Sequence, residues 1–139
     1  NIFPLICKVA YGEIDELKIF GNDWETHDGS AIRDFVHIMD LAEGHLRMLE
    51  YLFEKTPTKV KLNLGTGKGT SVLSLIREFE KVNNVKVPFS FDKRRNGDRG
   101  IVYADNSYAK SLLNWVPERS IEQMCIDGWR WQRKNLSSI

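Results

Sequence analysis

Cysteine is scarce in this chain of 139 residues: only Cys7 and Cys125 are present, and they form no CxxC pair. A disulfide framework and a thiolate metal cage are therefore excluded, and two buried thiols in a reducing compartment are expected. Metal-ligand spacing is missing as well. His37 and His45 stand without cysteine or carboxylate partners at ligand intervals, so no metal site is expected and both are read as satisfied core histidines. Neither sign of charge prevails, since 20 Lys and Arg against 19 Asp and Glu leave a net charge of +1. The densest basic run is Lys93 to Arg95, too little for a dedicated nucleic-acid surface. No apolar run reaches membrane-spanning length and no signal peptide opens the chain, which makes the cytoplasm the expected compartment. Repeats, low-complexity tracts and linkers are lacking too.

What is present is an ordinary globular balance, 42% hydrophobic and 28% charged, enough for one domain over residues 1–139. The chain opens on Asn1 inside an amphipathic segment with no cap, so it is expected to be a piece of a longer protein. Residues 1–12 read as a short helix with Pro4 in its first turn and Gly12 as its stop. Leu17 to Phe20 reads as a strand, Arg33 to Ile38 as a second, and Asp40 is placed to cap a helix running to about Lys55. Ala42, His45, Leu46, Leu49, Leu52 and Phe53 recur on that helix at the spacing of an apolar face. Val60, Leu62 and Leu64 alternate as a strand, and Val72 to Val82 repeat as a helix. Val87 to Phe91 and Ile101 to Ala104 are extended, while 106–113 and 120–134 are helical. Trp129 and Trp131 on the last helix are core and rim packing. Alternating strands and helices imply an α/β fold, with too few strands for a complete doubly wound sheet.

Two stretches carry chemistry. In Ile19 to His45, IFGNDWETHDGSAIRDFVHIMDLAEGH, a polar loop punctuated by glycines re-enters the fold at Arg33. Loops of this kind hold ligands more often than they supply stability. Packed backbone behind Arg33 would hold its guanidinium as bidentate phosphate recognition requires; the plain alternative is an ion pair with Asp28 or Asp34. The second stretch, Gly65 to Ser71 between a strand and a helix, invites a nucleotide reading. The third Rossmann glycine would fall on Thr70, however, and no GK[ST] completes a P-loop, so that signal is weak. Of the tyrosines only Tyr51 has a lysine four residues on, Lys55, and the pair is read as an ordinary surface pair beside no cofactor motif.

At these residues the chain resembles the C-terminal half of the UDP-glucose (UDP-galactose) 4-epimerases, a family of extended short-chain dehydrogenase/reductases. The likeness runs from FGNDW, DG, RDFVH and DLAEGH through NLGTGKGTSV, RRNGD, YADNS, LNW and WRWQ, in order along essentially the whole chain. It implies a small substrate-binding α/β domain of short strands and amphipathic helices, with the Rossmann domain absent. Residues for UDP-glucose or UDP-galactose follow from the same resemblance. Asn1 and Ile2 would meet phosphate, Lys18 and Phe20 would line the uracil, and Arg33 and Arg95 would clamp the pyrophosphate. Asp98 would accept from ribose hydroxyls, Val72 would pack on base or sugar, and Phe35 and Val102 would stand near the ligand, Val102 facing the sugar.

The resemblance further implies tightly bound NAD, a catalytic tyrosine and lysine, and a homodimer contact, all in a part of the protein outside this chain. No catalytic residue is therefore assigned, and the chain alone is expected to be inactive. Three positions depart from the family: Phe35 and Trp24 stand where tyrosine is usual, and Val102 where members vary between bulky and small. The alternatives are a nucleotide-sugar dehydratase or another hexose epimerase, which the GNDWETHDGS segment fits less well, and a non-catalytic nucleotide-sugar-binding module.

Overall fold

The computed structural model describes residues 1–54 and 59–136, apart from the side chains of 135 and 136. Asn1 accepts a hydrogen bond from the Phe3 N–H (3.2 Å) and so starts helix α1 (Ile2–Tyr11); Gly12 ends it at φ 87°. The opening residue is thus itself the cap, which corrects the expected uncapped start. Ile6, Cys7 and Val9 on α1 are buried against Leu17 and Ile19 of strand β1 (Leu17–Phe20) and against helices α3 (Val72–Asn83) and α5 (Ile121–Leu136). Phe79 of α3 is fully buried, edge-on to Phe3 (6.1 Å) and Trp129 (5.8 Å). Gly128 permits that packing, because a Cβ there would lie 2.3 Å from the Phe3 ring. Trp131 stays mostly in solvent, so core and rim divide between the two tryptophans. Both cysteines are free and buried, and burial pushes the Cys7 thiol up to about 11 and the Cys125 thiol up to about 12, which leaves them inert.

Two small sheets lie beside this core. β1 runs parallel to β4 (Phe89–Asp92), pairing Leu17 with Phe89 and Phe20 with Asp92. In the other sheet β2 (Ile32–Arg33) is central, antiparallel to β3 (Thr70–Ser71) and parallel to β5 (Ile101–Val102). Arg33 is therefore opposite Thr70 on one side and Val102 on the other. A second cluster forms where Ala109 and Leu113 of α4 (Ser107–Leu113) and Trp115 meet Met48 and Tyr51 of α2 (Ile38–Glu54), with Leu62 and Leu64.

Several expectations about the middle of the chain are corrected. The strand expected from Arg33 to Ile38 stops at Arg33, because His37 already turns its Nδ1 onto the Met39 N–H (3.1 Å) to start α2. Asp40 is consequently inside the first turn and does not cap. It is 1% exposed and accepts from the backbone N–H (2.9 Å) and the guanidinium of Arg119, while Trp115 Nε1 donates to its carbonyl (3.0 Å). Burial of a carboxylate is tolerated here because it is paired and hydrogen-bonded. His45 is exposed and bonds the Leu41 carbonyl of its own helix, so it is no core histidine, whereas His37 is buried.

The apolar stripe of α2 is not a core face either: Leu46, Leu49, Leu52 and Phe53 are exposed, Phe53 by 86%. α2 instead meets its neighbours through Gly44, where a Cβ would sit 3.0 Å from Leu64 and 3.1 Å from Trp115. Tyr51 packs against the second cluster and is not a surface residue, while Lys55 lies outside the described residues. Residues 60–64 alternate half-buried and exposed as expected of a strand, yet no ladder includes them among the described residues.

Candidate functional site

A cavity of about 300 Å³ opens where the start of α1, the free edge of β1, β2 and the 92–100 loop converge. Its wall includes Asn1, Ile2, Lys18, Phe20, Arg33, Phe35, Val72, Arg95 and Asp98, so of the residues singled out from the sequence only Val102 is not brought there. Val102 stands opposite Arg33 on β5 and is 47% exposed. Leu5, Ile19 and Ala31 also line the cavity and escaped the sequence reading. A signal existed for Leu5, one helical turn beyond Ile2. None marked Ile19 and Ala31, which look like any other apolar residue of a core.

Basic side chains outnumber acidic ones on the cavity wall, Lys18, Arg33 and Arg95 against Asp98. Arg33 donates through Nη1 to the carbonyls of Ile32 (2.8 Å) and Gly100 (3.4 Å), and among the described residues no acceptor engages its other N–H groups. Neither aspartate offered as an ion-pair partner takes it: Asp28 is held by serines and Asp34 by the glycine turn. Across the cavity, Arg95 lies over the Phe20 ring (4.5 Å) and donates from Nε to Asp98 (3.1 Å). The positive end of α1, a helix of ten residues, stands beside them; its Phe3 N–H is taken by the Asn1 side chain and Pro4 has none, which leaves the Ile2 N–H and the Asn1 amide as its donors.

The neighbouring end suits a flat polar group. Leu17 N–H bonds the carbonyl of Pro88, just before β4, and Gly21 N–H that of Asp92 at its end (2.8 Å each), so the alternation of a strand turns the peptide groups of Lys18 and Phe20 to the other edge. Among the described residues that edge carries no strand, and the Phe20 carbonyl accepts only from Trp24 Nε1 (3.2 Å). The Lys18 ammonium is drawn aside by Glu16 and Ser90 (2.8 Å to Ser90 Oγ), which leaves its backbone as the part that faces the cavity wall.

The loops that carry these groups are braced from behind. Trp24 takes the face of Arg94 (4.0 Å) between Gly21 and Gly100, and Arg94 also pairs with Asp23 (2.7 Å). A Cβ at Gly21, where φ is 84°, would strike the Trp24 ring at 2.5 Å. Of the adjacent arginines 94 and 95, the first is therefore a brace and the second reaches the cavity. Asp28 ties the 21–31 loop to α3: its Oδ1 accepts from Ser30 N–H (3.0 Å) and Oγ (2.7 Å), and its Oδ2 from Ser71 Oγ (2.6 Å). Ser71 and Ser30 in turn accept from the Ser74 and Leu73 N–H groups at the helix start (3.1 Å each).

The glycine turn at 65–69 is occupied by the protein itself. Asp34 accepts from the Thr66 and Gly67 N–H groups (3.0 Å each), the donors such a turn would offer a phosphate. A Cβ at Gly65 would meet Asp34 Oδ2 at 2.6 Å, and one at Gly69 would meet Ile32 at 2.4 Å. These glycines serve the approach of β2.

This α/β unit, with an arginine-lined cavity beside β1, belongs to the family described as GDP-mannose 4,6 dehydratase, whose model matches residues 1–127. Within it, the chain is homologous to UDP-glucose 4-epimerases over part of their length. It is 44% identical over 137 residues to the UDP-glucose 4-epimerase of Bacillus subtilis (strain 168), covering 99% of this chain and 40% of that protein. Two solved structures agree. The UDP-glucose 4-epimerase of Stenotrophomonas maltophila, with bound NAD and formylated UDP-arabinopyranose, superposes with a TM-score of 0.94 at 41% identity, covering 100% of this chain and 41% of that one. That of Bifidobacterium longum, in complex with NAD+ and UDP, gives 0.92 at 37% identity with the same coverage. The chain thus spans well under half of the relatives it matches. No helix among the described residues is long and apolar enough to cross a membrane.

The Asp28 network has a pH signature. Burial would raise the Asp28 carboxyl, but hydrogen bonds from Ser71 and Ser30, with His27 beside it, hold it below its ordinary value. A carboxylate lowered in the folded state lends stability that is complete above about pH 4 and fades as pH falls through the folded pKa. Asp28→Asn is expected to cost about 1–3 kcal/mol at pH 7. Urea unfolding should show the gap from the parent protein shrinking as pH falls below about 4; a gap of constant size from pH 7 down to the acid limit of folding would assign the loss to packing.

Proposed function

We propose that this chain is the C-terminal, UDP-sugar-binding portion of a longer NAD-dependent UDP-glucose 4-epimerase that interconverts UDP-galactose and UDP-glucose. The observation that carries the reading is the convergence of Arg33, Arg95 and the start of α1 on one cavity, beside the unpaired edge of β1. In this reading the two guanidinium groups clamp the pyrophosphate and the Asn1 end of α1 supports it with N–H donors. The Lys18 and Phe20 peptide edges read the uracil, as polar groups on a flat base require. Asp98 accepts from the ribose, and Phe35, Val72 and Leu5 supply the apolar floor. Binding energy falls on the nucleotide, so the hexose is left able to turn over between half-reactions.

The residues present do not fit NAD, since the glycine turn that might cradle its phosphates is filled by Asp34. Cofactor and chemistry are assigned instead to chain outside this segment. The exposed stripe of α2, with Ile38 at 67%, Leu46 at 56% and Phe53 at 86%, supports that assignment, because apolar patches of this extent mark surfaces that another part covers. Incubated alone with UDP-galactose and NAD, the chain should yield no UDP-glucose; turnover would move the catalytic centre into it.

Removing one partner of a desolvated charge pair typically costs about 2–5 kcal/mol, so Arg33→Ala or Arg95→Ala in the complete gene product should weaken UDP by at least about tenfold. Titration calorimetry measures this, and unchanged affinity in both variants would refute the clamp. Val102 bears on the sugar. It is paired with Arg33, so a hexose extending from the pyrophosphate past β2 would meet it, and valine leaves room for a large substituent where tyrosine would fill the space. Added bulk costs about 1–3 kcal/mol, tenfold or more in discrimination. Val102→Tyr is expected to lower the rate on UDP-N-acetylgalactosamine relative to UDP-galactose, and an unchanged ratio would make Val102 a packing residue.

A further inference from the structure

Asp34 leaves β2 on the face opposite Arg33 and gathers four donors. One oxygen accepts from the Thr66 N–H (3.0 Å) and hydroxyl (2.5 Å), the other from the N–H groups of Gly67 (3.0 Å) and Ala104 (3.2 Å). Residues 66 and 67 lead into β3, and Ala104 follows β5. Each ladder of β2 is only two residue pairs long, so this carboxylate holds both neighbouring segments where backbone pairing ends. The consequence reaches the cavity through Gly100, just before β5. Its carbonyl accepts from the Ile32 N–H (2.7 Å) and, at 3.4 Å, from Arg33 Nη1. A shift of β5 by less than an ångström would take that carbonyl out of reach of the guanidinium.

We propose that Asp34 is a positioning residue of the diphosphate site: by binding the glycine turn and the end of β5 to β2, it keeps the Gly100 carbonyl behind Arg33. This rests on the nucleotide-sugar reading of the cavity. It also explains why a glycine-rich turn sits beside a ligand site without touching the ligand. The turn's donors are the handle by which the anion of Asp34 fixes the strand that carries Arg33. An asparagine at 34 keeps the size but replaces one acceptor oxygen with an NH2 group, which faces a pair of donors whichever way the amide lies.

The test is a double-mutant cycle for UDP binding in the complete gene product, with Asp34→Asn, Arg33→Ala and the two combined. Asp34→Asn should weaken UDP about fivefold or more when Arg33 is present and less than about twofold when it is absent, since its effect is routed through that side chain. Thermal melting of the same proteins reads the plain structural cost, which should be equal in both backgrounds. Equal losses of UDP affinity in both backgrounds, or no loss with Arg33 present, overturn the proposal while leaving the clamp intact. Unchanged affinity in Arg33→Ala alone overturns the clamp and this proposal with it. Should Asp34→Asn fail to fold, Thr66→Val removes one of the four donors and should give a loss of about two- to threefold with the same dependence on Arg33; a loss independent of Arg33 overturns the proposal.

Discussion

Successive side chains of an extended segment leave on opposite faces, and at Arg33 and Asp34 that constraint sets the layout of the whole site. The cation turns toward the cavity and the anion toward the glycine turn, so one short strand serves ligand and scaffold together. β2 has little ladder of its own: two pairs to β3 and two to β5. What holds it are side chains that take backbone donors. Asp34 does so on one flank, and the Asp28, Ser30 and Ser71 set does so at the start of α3. Each of these groups removes a polar atom from water, so each must be fully matched, and no buried side-chain polar atom among the described residues lacks a partner.

The cavity keeps its charge for a related reason. Exposed ion pairs are weak and easily exchanged, and the Arg95–Asp98 pair is of that kind, with the arginine side chain 62% exposed. Arg33 avoids even this, because both candidate carboxylates are engaged elsewhere and its fork is held by neutral carbonyls. A guanidinium fixed by carbonyls is oriented without being neutralised, which is what an anion site needs. Beside it, the β1 edge stays open because among the described residues β1 has a partner strand on one side alone.

Much of the fold was legible. The segments read as α1, β1, α3, β4, α4 and α5 all occur within a few residues of where periodicity and Pro4 or Gly12 placed them, since each follows from local pattern. The site was legible in a different way: neither spacing nor composition links residues 1, 18, 33, 72, 95 and 98, and only the family resemblance joined them. Failures concentrated in α2. Its 3.6-residue period was real, but the stripe it defines faces solvent within this chain, and the buried positions are Asp40 and Gly44. A periodic apolar face marks a helix and is silent about what it packs against. The same period carries His45 toward the core, and Asp40 has the look of a cap because its true partner, Arg119, lies 79 residues away.

By itself the sequence determined the α/β class, the helix and strand segments, the inert cysteines, and the kind of residues a phosphate site would use, because these depend on neighbours a few positions apart. Only the tertiary structure decided that Arg94 braces Trp24, that Arg33 is paired with neither aspartate, that the glycine turn holds Asp34 in place of a ligand, and that Val102 stands outside the cavity wall. Each of those outcomes is a competition among partners remote in the chain, settled by distances of a few ångströms that no sequence spacing encodes.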